Sequence, residues 1–224
     1  MERINIAIDG PAGAGKSTAA KGIAKALGIR YLDTGAMYRA MALYAKRQGV
    51  AFDDEEGLTR ILPDADIVVR FTDEGQRVLL GGEDVTGLLR TPEMSMGAST
   101  VSIFPPVRKK LTLLQRQVAR DYDVVMDGRE IGTNVLPECR HKFFITASPE
   151  VRARRRHAEL VEKGDRASTF EEVLAELMRR DEQDSNRAYM PLRQAEDAIL
   201  VDTTALDAEQ MIARLLTLFR EAEK

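Results

Sequence analysis

Cysteine is almost absent from this chain of 224 residues: Cys139 is the only one. A single thiol excludes an internal disulfide framework and any cysteine-based zinc cluster. Two histidines, His141 and His157, leave little for a histidine metal site. Neither sign of charge dominates, since 33 basic and 36 acidic residues give a net charge of −3. A general nucleic-acid binder usually carries a basic excess, so that class is disfavoured. No apolar run approaches the roughly 18 residues of a membrane span. The opening Met1-Glu2-Arg3-Ile4-Asn5-Ile6-Ala7-Ile8 is too short and too alternating for a signal peptide. With 44% hydrophobic residues the chain can bury a core. These absences together predict a cytoplasmic globular protein with one substantial domain, 1–224, that engages neither membrane nor nucleic acid.

What the chain has in excess is arginine: 24 of the 33 basic residues, against 9 lysines. Arginine is favoured where carboxylates or phosphates are gripped by two hydrogen bonds, although genomic base composition also inflates it. Short apolar runs alternate with amphipathic stretches, which reads as α/β with a central parallel sheet flanked by helices. Expected strands are 4–8, 31–32, 124–126, 143–145 and 199–201. Expected helices are 16–27, 36–47, 150–162, 169–187 and 207–222. Ser148 with Pro149 reads as one helix start, and Thr169 with Glu172 is spaced as a capping box. The segment 63–99 breaks this rhythm. Two β-like runs, 67–71 and 77–80, flank Thr72-Asp73-Glu74-Gly75-Gln76, whose composition is that of a hairpin loop. Gly81-Gly82-Glu83-Asp84 reads as a second turn. An inserted antiparallel β subdomain is therefore expected over 63–99.

Gly10-Pro11-Ala12-Gly13-Ala14-Gly15-Lys16-Ser17 fits G-x-x-x-x-G-K-[ST] in full, after an apolar strand and before a helix. The glycines let backbone N–H groups converge on a phosphate, and the following helix adds its positive end. In such a cradle Lys16 bridges the β- and γ-phosphates and the Ser17 hydroxyl ligates Mg²⁺, while Thr18 continues the contact. ATP binding with Mg²⁺ is the expectation. Three classes share the cradle. A GTPase would carry Asn-Lys-x-Asp, and no such tetrapeptide occurs. A motor ATPase is usually longer, with an acidic strand end, a role only Asp127 could fill. A small-molecule kinase needs a second anion pocket and mobile cations.

The arginines fit the third class. Arg39 follows a turn that feeds a helix, and Arg129 follows Asp127-Gly128 at the carboxyl end of an expected strand, where α/β sheets place ligands. Arg152, Arg155 and Arg156 share one helix face, as do Arg180, Asp184 and Arg187. The run Arg152-Ala153-Arg154-Arg155-Arg156 repels itself unless anions or carboxylates neutralise it. Cys139 shows no base beside it and reads as incidental. Asp9, beside the cradle, could hold Mg²⁺ through water or only cap the turn.

At this point the sequence resembles a known family. Ile8 to Thr18, Leu32-Asp33-Thr34-Gly35-Ala36-Met37-Tyr38-Arg39, Phe104-Pro105-Pro106-Val107-Arg108 and Asp127-Gly128-Arg129-Glu130-Ile131-Gly132-Thr133 are similar to bacterial cytidylate kinases. So are Arg179-Arg180-Asp181, Asn186-Arg187 and Ala198 to Thr204. The blocks run in order over essentially the whole chain. The resemblance implies a P-loop nucleoside monophosphate kinase, acting as a monomer, that transfers the γ-phosphoryl group of ATP to CMP or dCMP with Mg²⁺. It places Thr34, Arg39, Arg129 and Arg187 around the acceptor phosphate, and Ser99, Arg108 and Glu130 at the cytosine edge. Arg180 and Asp184 fall at the sugar, Asp127 joins the substrate-binding set, and Arg155 and Arg156 belong to a lid spanning 152–187. Lys16, Arg129, Arg155 and Arg156 would be catalytic. Many members carry Asp where this chain has Glu130. The carboxylate then serves either as a base-reading acceptor or as the partner of a nearby arginine.

Overall fold

Apolar five- and six-residue runs with β-branched residues become buried strands, and the amphipathic stretches between them cover their faces. A computed structural model describes residues 3–162 and 164–223. The chain divides into two compact units. One holds Ile29–Val124 together with Arg3 and Ile4; the other holds Asn5–Gly28 and the chain from Val125 onward.

The second unit carries the parallel sheet. Strand β1 (Asn5–Asp9) pairs in parallel with β7 (His141–Thr146), Ile8 opposite Phe143 and Asp9 opposite Phe144. Strand β7 pairs in parallel with β8 (Ile199–Asp202). With β6 (Val124–Gly128) on the other side of β1, the order within this unit is β6-β1-β7-β8. Ile6, Ile8, Val125, Met126 and Ile145 are fully buried, as strands covered on both faces require. Helix α1 (Lys16–Leu27) follows β1 and stops at Gly28 in the left-handed region, whose N–H donates to the Ala24 carbonyl. Helices α6 (Pro149–Glu162) and α7 (Phe170–Asn186) pack through Ala153, Val173 and Leu177, together with Ala12. The Thr169–Glu172 capping box opens α7 as the sequence predicts. A second capping box, Asp207 with Gln210, opens α8 (Ala208–Ala222). A π-helical turn, Ile131–Val135, follows β6.

The first unit contains β2 (Arg30–Asp33), α2 (Thr34–Arg47), α3 (Glu55–Ile61), β3 (Ile67–Thr72), β4 (Gly75–Leu80), β5 (Glu83–Asp84), α4 (Pro92–Val101) and α5 (Pro105–Asp121). Strands β3, β4 and β5 form a separate antiparallel sheet, with Thr72 opposite Gly75 at the tight turn. The stretch 63–99 thus holds the expected hairpin and also most of α4, capped by Thr91 with Pro92 at the first position. Glu83–Asp84, read from sequence as turn, pairs with Leu79 and Leu80. This sheet is tied to its own unit by polar clasps. Arg47 grips Glu83 with both terminal nitrogens at 2.7 and 2.9 Å, and Gln76 accepts from the Asp33 N–H at 2.7 Å.

Candidate functional site

The cradle, Gly10–Gly15, joins β1 to α1. At Gly10, with φ 146°, a Cβ would stand 2.0 Å from the Ile145 carbonyl oxygen, so no side chain fits. Gly13, at φ 74°, lies against Arg152, whose Cβ would be 3.1 Å from an added methyl. The curl is tied down through its carbonyls. Arg152 donates to the Ala12 oxygen at 3.0 Å, and Thr203 donates from Oγ1 to the Ala14 oxygen at 3.3 Å. Lys16 is buried and donates from Nζ to the Pro11 carbonyl at 2.6 Å. Burial first, then the charge of Arg129, bring its ammonium down to about 7. A phosphate arriving at this point meets a cation short of counter-charge. The Ser17 hydroxyl donates to the Asp127 carboxylate at 2.7 Å.

In the same unit four side chains form one ionic chain. Arg129 donates from Nε to Asp184 Oδ2 at 2.8 Å. Arg187 donates from Nη1 to Asp184 Oδ1 at 3.4 Å and from Nη2 to Glu130 Oε2 at 3.0 Å. Its Nε donates to the Met190 carbonyl, and Met190 adopts the left-handed φ of 52° that aims that oxygen. Burial alone would raise the Asp184 carboxyl, but Arg129 and Arg187 hold it below the usual carboxylate range. Arg180 lies close by. Burial, then the charge of Arg129, push its guanidinium down, and its Nε is buried with no hydrogen-bond partner among the described residues. The guanidiniums of Arg129, Arg180 and Arg187 all gather around Asp184, a concentration of positive charge suited to a further anion.

Thr34, Arg39, Ser99 and Arg108 belong to the first unit. Asp33 caps α2 by accepting from the Ala36 N–H at 3.0 Å, and its other oxygen accepts from Arg39 at 2.7 Å. Thr34 is buried in the first turn of α2. Arg108 is 1% exposed on α5, with its guanidinium 5.6 Å from the Tyr38 ring centroid and Nη1 donating to the Ser102 carbonyl at 2.9 Å. Ser99 sits in the last turns of α4, its carbonyl accepting from the Ser102 hydroxyl at 2.8 Å.

The three arginines Arg152, Arg155 and Arg156, which share a face of α6, each have their own anchorage. Arg152 pairs with Asp181 at 2.6 Å. Arg155 donates to the Thr203 and Leu206 carbonyls at 2.7 and 3.0 Å. Arg156 pairs with Glu159 at 2.9 Å. Arg155 and Arg156 therefore stand outside the Arg129–Asp184–Arg187–Glu130 chain. Sequence reasoning gives neither Arg152 nor Thr203 a site role, although their bonds to the cradle carbonyls bridge 140 and 189 residues. The only hint was the self-repulsion of the run. Asp9 accepts, at both oxygens, N–H groups of the distant π-turn, a partnership that its place beside the cradle does not announce. Burial pushes the Cys139 thiol up to about 11, which keeps it protonated and unreactive.

Among the described residues no helix is long and apolar enough to cross a membrane. The family model described as cytidylate kinase matches residues 6–221. A cytidylate kinase of Carboxydothermus hydrogenoformans is 54% identical over 213 residues, covering 95% of this chain and 96% of that protein. One of Caldicellulosiruptor bescii is 46% identical over 224 residues, covering 100% of this chain and 99% of that protein. Among solved structures, an uncharacterized protein from Eubacterium ventriosum aligns over 99% of both chains with a TM-score of 0.52 and 11% identity, a likeness of fold alone.

Proposed function

The chain belongs to the cytidylate kinase family, and on that premise we propose how its own side chains carry phosphoryl transfer from ATP to CMP or dCMP. The observation that supports the reading most directly lies within the second unit. There the Gly10–Thr18 cradle follows the carboxyl end of β1, and Arg129 and Glu130 of the ionic chain follow that of the neighbouring β6. Lys16 takes the β- and γ-phosphates of ATP, with Gly10 to Thr18 wrapping the donor. Arg129 and Arg187 grip the acceptor phosphate, and Arg180 and Asp184 hold the sugar. In the first unit, Thr34 and Arg39 keep the acceptor-phosphate role, and Ser99 and Arg108 the base-reading role, that the resemblance implies. Arg155 and Arg156 are assigned to the lid on the same ground. The acceptor is already a phosphate oxyanion, so no general base is required. The residues hold two anions in line and neutralise their charge.

Mg²⁺ fits the donor set. The Ser17 hydroxyl and Asp127 carboxylate, 2.7 Å apart, are hard oxygen donors. No group of three or more His, Cys, Asp or Glu among the described residues could cage a metal. Mg²⁺ is usually held by one or two side chains plus phosphates and water. When bound, it supplies charge neutralisation to the phosphate oxygens. The same reading makes the protein a cytoplasmic monomer.

An ADP-release assay with CMP, dCMP, UMP, AMP and shikimate tests the reading. CMP or dCMP should give the highest kcat/KM. Preference for another acceptor would overturn the substrate assignment, and background ADP with all five would overturn the activity.

Glu130 carries the base selectivity in this scheme. A carboxylate accepts from the cytosine amine and repels the uracil carbonyl. Glu130→Gln keeps the shape and removes the charge. The CMP-to-UMP ratio of kcat/KM is expected to fall by roughly tenfold or more, the scale of one charged hydrogen bond. An unchanged ratio would leave Glu130 as the ion-pair partner of Arg187 alone.

A further inference from the structure

Asp9 closes β1 and immediately precedes Gly10, the first residue of the cradle. The residue is 5% exposed, and its carboxylate is engaged at both oxygens. The Ile131 N–H donates to Oδ1 at 2.8 Å and the Gly132 N–H donates to Oδ2 at 2.7 Å, across 122 and 123 residues of sequence. Those two N–H groups open the π-turn Ile131–Val135. The first turn of such a segment has no internal partners for its N–H groups, so an acceptor must come from outside it. Arg129 and Glu130 stand directly before the turn, one held by Asp184 and the other by Arg187. One buried carboxylate thus fixes the backbone from which both side chains reach.

We propose that Asp9 is a positioning residue, whose two backbone hydrogen bonds lock the Arg129–Glu130 turn to the entrance of the phosphate cradle and so align the acceptor relative to the donor. The inference rests on the reading of Arg129 and Glu130 as acceptor-site residues. Asp9 touches neither substrate in this scheme; each of its oxygens serves as an acceptor for the turn.

The surroundings of Asp9 make the lock sensitive to pH. Burial raises its carboxyl to about 7 against the pull of the two N–H groups. Glu130 on the turn side pushes it further up, and Lys16 in the cradle pulls it down. From β7, Lys142 approaches the other side of Gly132: an added Cβ there would lie 3.2 Å from Lys142 Cδ and 3.4 Å from Asp9 Oδ2. Lys142 is itself paired with Asp197 at 2.6 Å, and the Cys139 thiol lies within the field of Asp9, Lys142 and Asp197. Protonating Asp9 turns one acceptor oxygen into a hydroxyl and loosens one of the two bonds. The effect on stability has the opposite sign. A carboxyl whose folded value is raised contributes stability that is fully present below its unfolded value, near 3.8, and is lost as pH rises through about 7. Acidification from pH 8 to 6 therefore strengthens the fold at this group while it weakens the lock.

The test compares the full-length enzyme with Asp9→Asn. The amide keeps the shape but sets an NH2 against one of the two N–H groups. At pH 8, kcat/KM for CMP should fall roughly 10- to 100-fold, the scale of a small misplacement in a reacting pair, with KM for ATP within about threefold. As pH falls from 8 to 6, the wild-type-to-variant activity ratio should shrink while the difference in Tm moves in favour of wild type. A purely structural Asp9 would move activity and Tm together. Asp9→Glu restores two acceptor oxygens and should recover part of the activity and of the pH dependence, which keeps the test open if the asparagine variant folds poorly. Wild-type kinetics in Asp9→Asn, or a pH-independent ratio, would overturn the proposal. Arg129→Ala separates the two levels. If it lowers kcat/KM for CMP while both Asp9 variants match wild type, only the role of Asp9 fails. If Arg129→Ala leaves CMP kinetics intact, the acceptor-site reading fails and the proposal with it.

Discussion

Arg187→Ala is expected to lower kcat/KM for CMP by about 2–4 kcal/mol, or roughly 30- to 1,000-fold, with ATP affinity nearly unchanged. Arg187 is the hub of the ionic chain, bound to Asp184, Glu130 and the Met190 carbonyl. In the proposed scheme an acceptor phosphate would bring new oxygens to this guanidinium and compete with Glu130 for Nη2. That exchange is cheap for the molecule, because one buried anion replaces another. Deletion is costly for a second reason. Arg187 and Glu130 have side chains only 4% and 5% exposed, so removing the cation strands a buried carboxylate, at about 3–5 kcal/mol of stability. The double variant Glu130→Gln with Arg187→Ala separates the two effects. It should regain much of the Tm and none of the lost kcat/KM. Activity that returns together with stability would mean that Arg187 holds the fold and not the acceptor. Steady-state kinetics with CMP varied, alongside thermal melts, reads both quantities.

Lys16→Met should be more damaging to the chemical step. The side chain is buried at the first turn of α1, close to Arg129, and its ammonium is driven down to about 7 by burial and by that neighbour. In the proposed scheme the phosphates of ATP would supply counter-charge that favours the protonated ammonium. Methionine fills a similar volume, so the cradle set by Gly10, Arg152 and Thr203 should persist. Removing a preorganised positive group from a water-poor site is expected to cut kcat by at least roughly 10²–10³. Stability should hold or rise, since a buried charge facing Arg129 is relieved. Single-turnover phosphoryl transfer with CMP present is the measurement. A kcat within a few fold of wild type would remove Lys16 from the reacting centre. A collapse in Tm would assign it to the fold.

How far sequence reading reached follows from the range of each interaction. The cradle is local, eight residues between a strand and a helix, and its glycines, lysine and serine are legible together. The α7 capping box and the β3–β4 hairpin are local in the same sense. Helix α5 was not visible because its buried face includes Arg108, Thr112 and Gln115, which break the apolar period that marks an amphipathic helix. Strand β5 was hidden because Glu83 and Asp84 are exposed and acidic, and only pairing with β4 makes them a strand. The site's organisation is long-range. Arg129 reaches Asp184 across 55 residues and Arg187 reaches Glu130 across 57. No spacing rule connects such pairs, and the family resemblance was the only guide to them. Asp9 shows the same limit. Its position beside the cradle was plain, but its partners lie 122 and 123 residues away, so a metal role and a capping role read alike.

The near-neutral charge of −3 also takes on a specific meaning. Many of the arginines are exposed, but a subset is drawn inward. Arg152 and Arg155 secure the cradle's surroundings through carbonyls, while Arg129, Arg180 and Arg187 gather around Asp184. Diffraction from crystals of the protein soaked with CMP tests this division most directly. The acceptor phosphate should lie within hydrogen-bonding distance of Arg129 and Arg187, with Arg187 Nη2 turned from Glu130 toward a phosphate oxygen and the Asp9 bonds to Ile131 and Gly132 unbroken. A phosphate bound away from both arginines, with the Arg187–Glu130 pair intact, would contradict it.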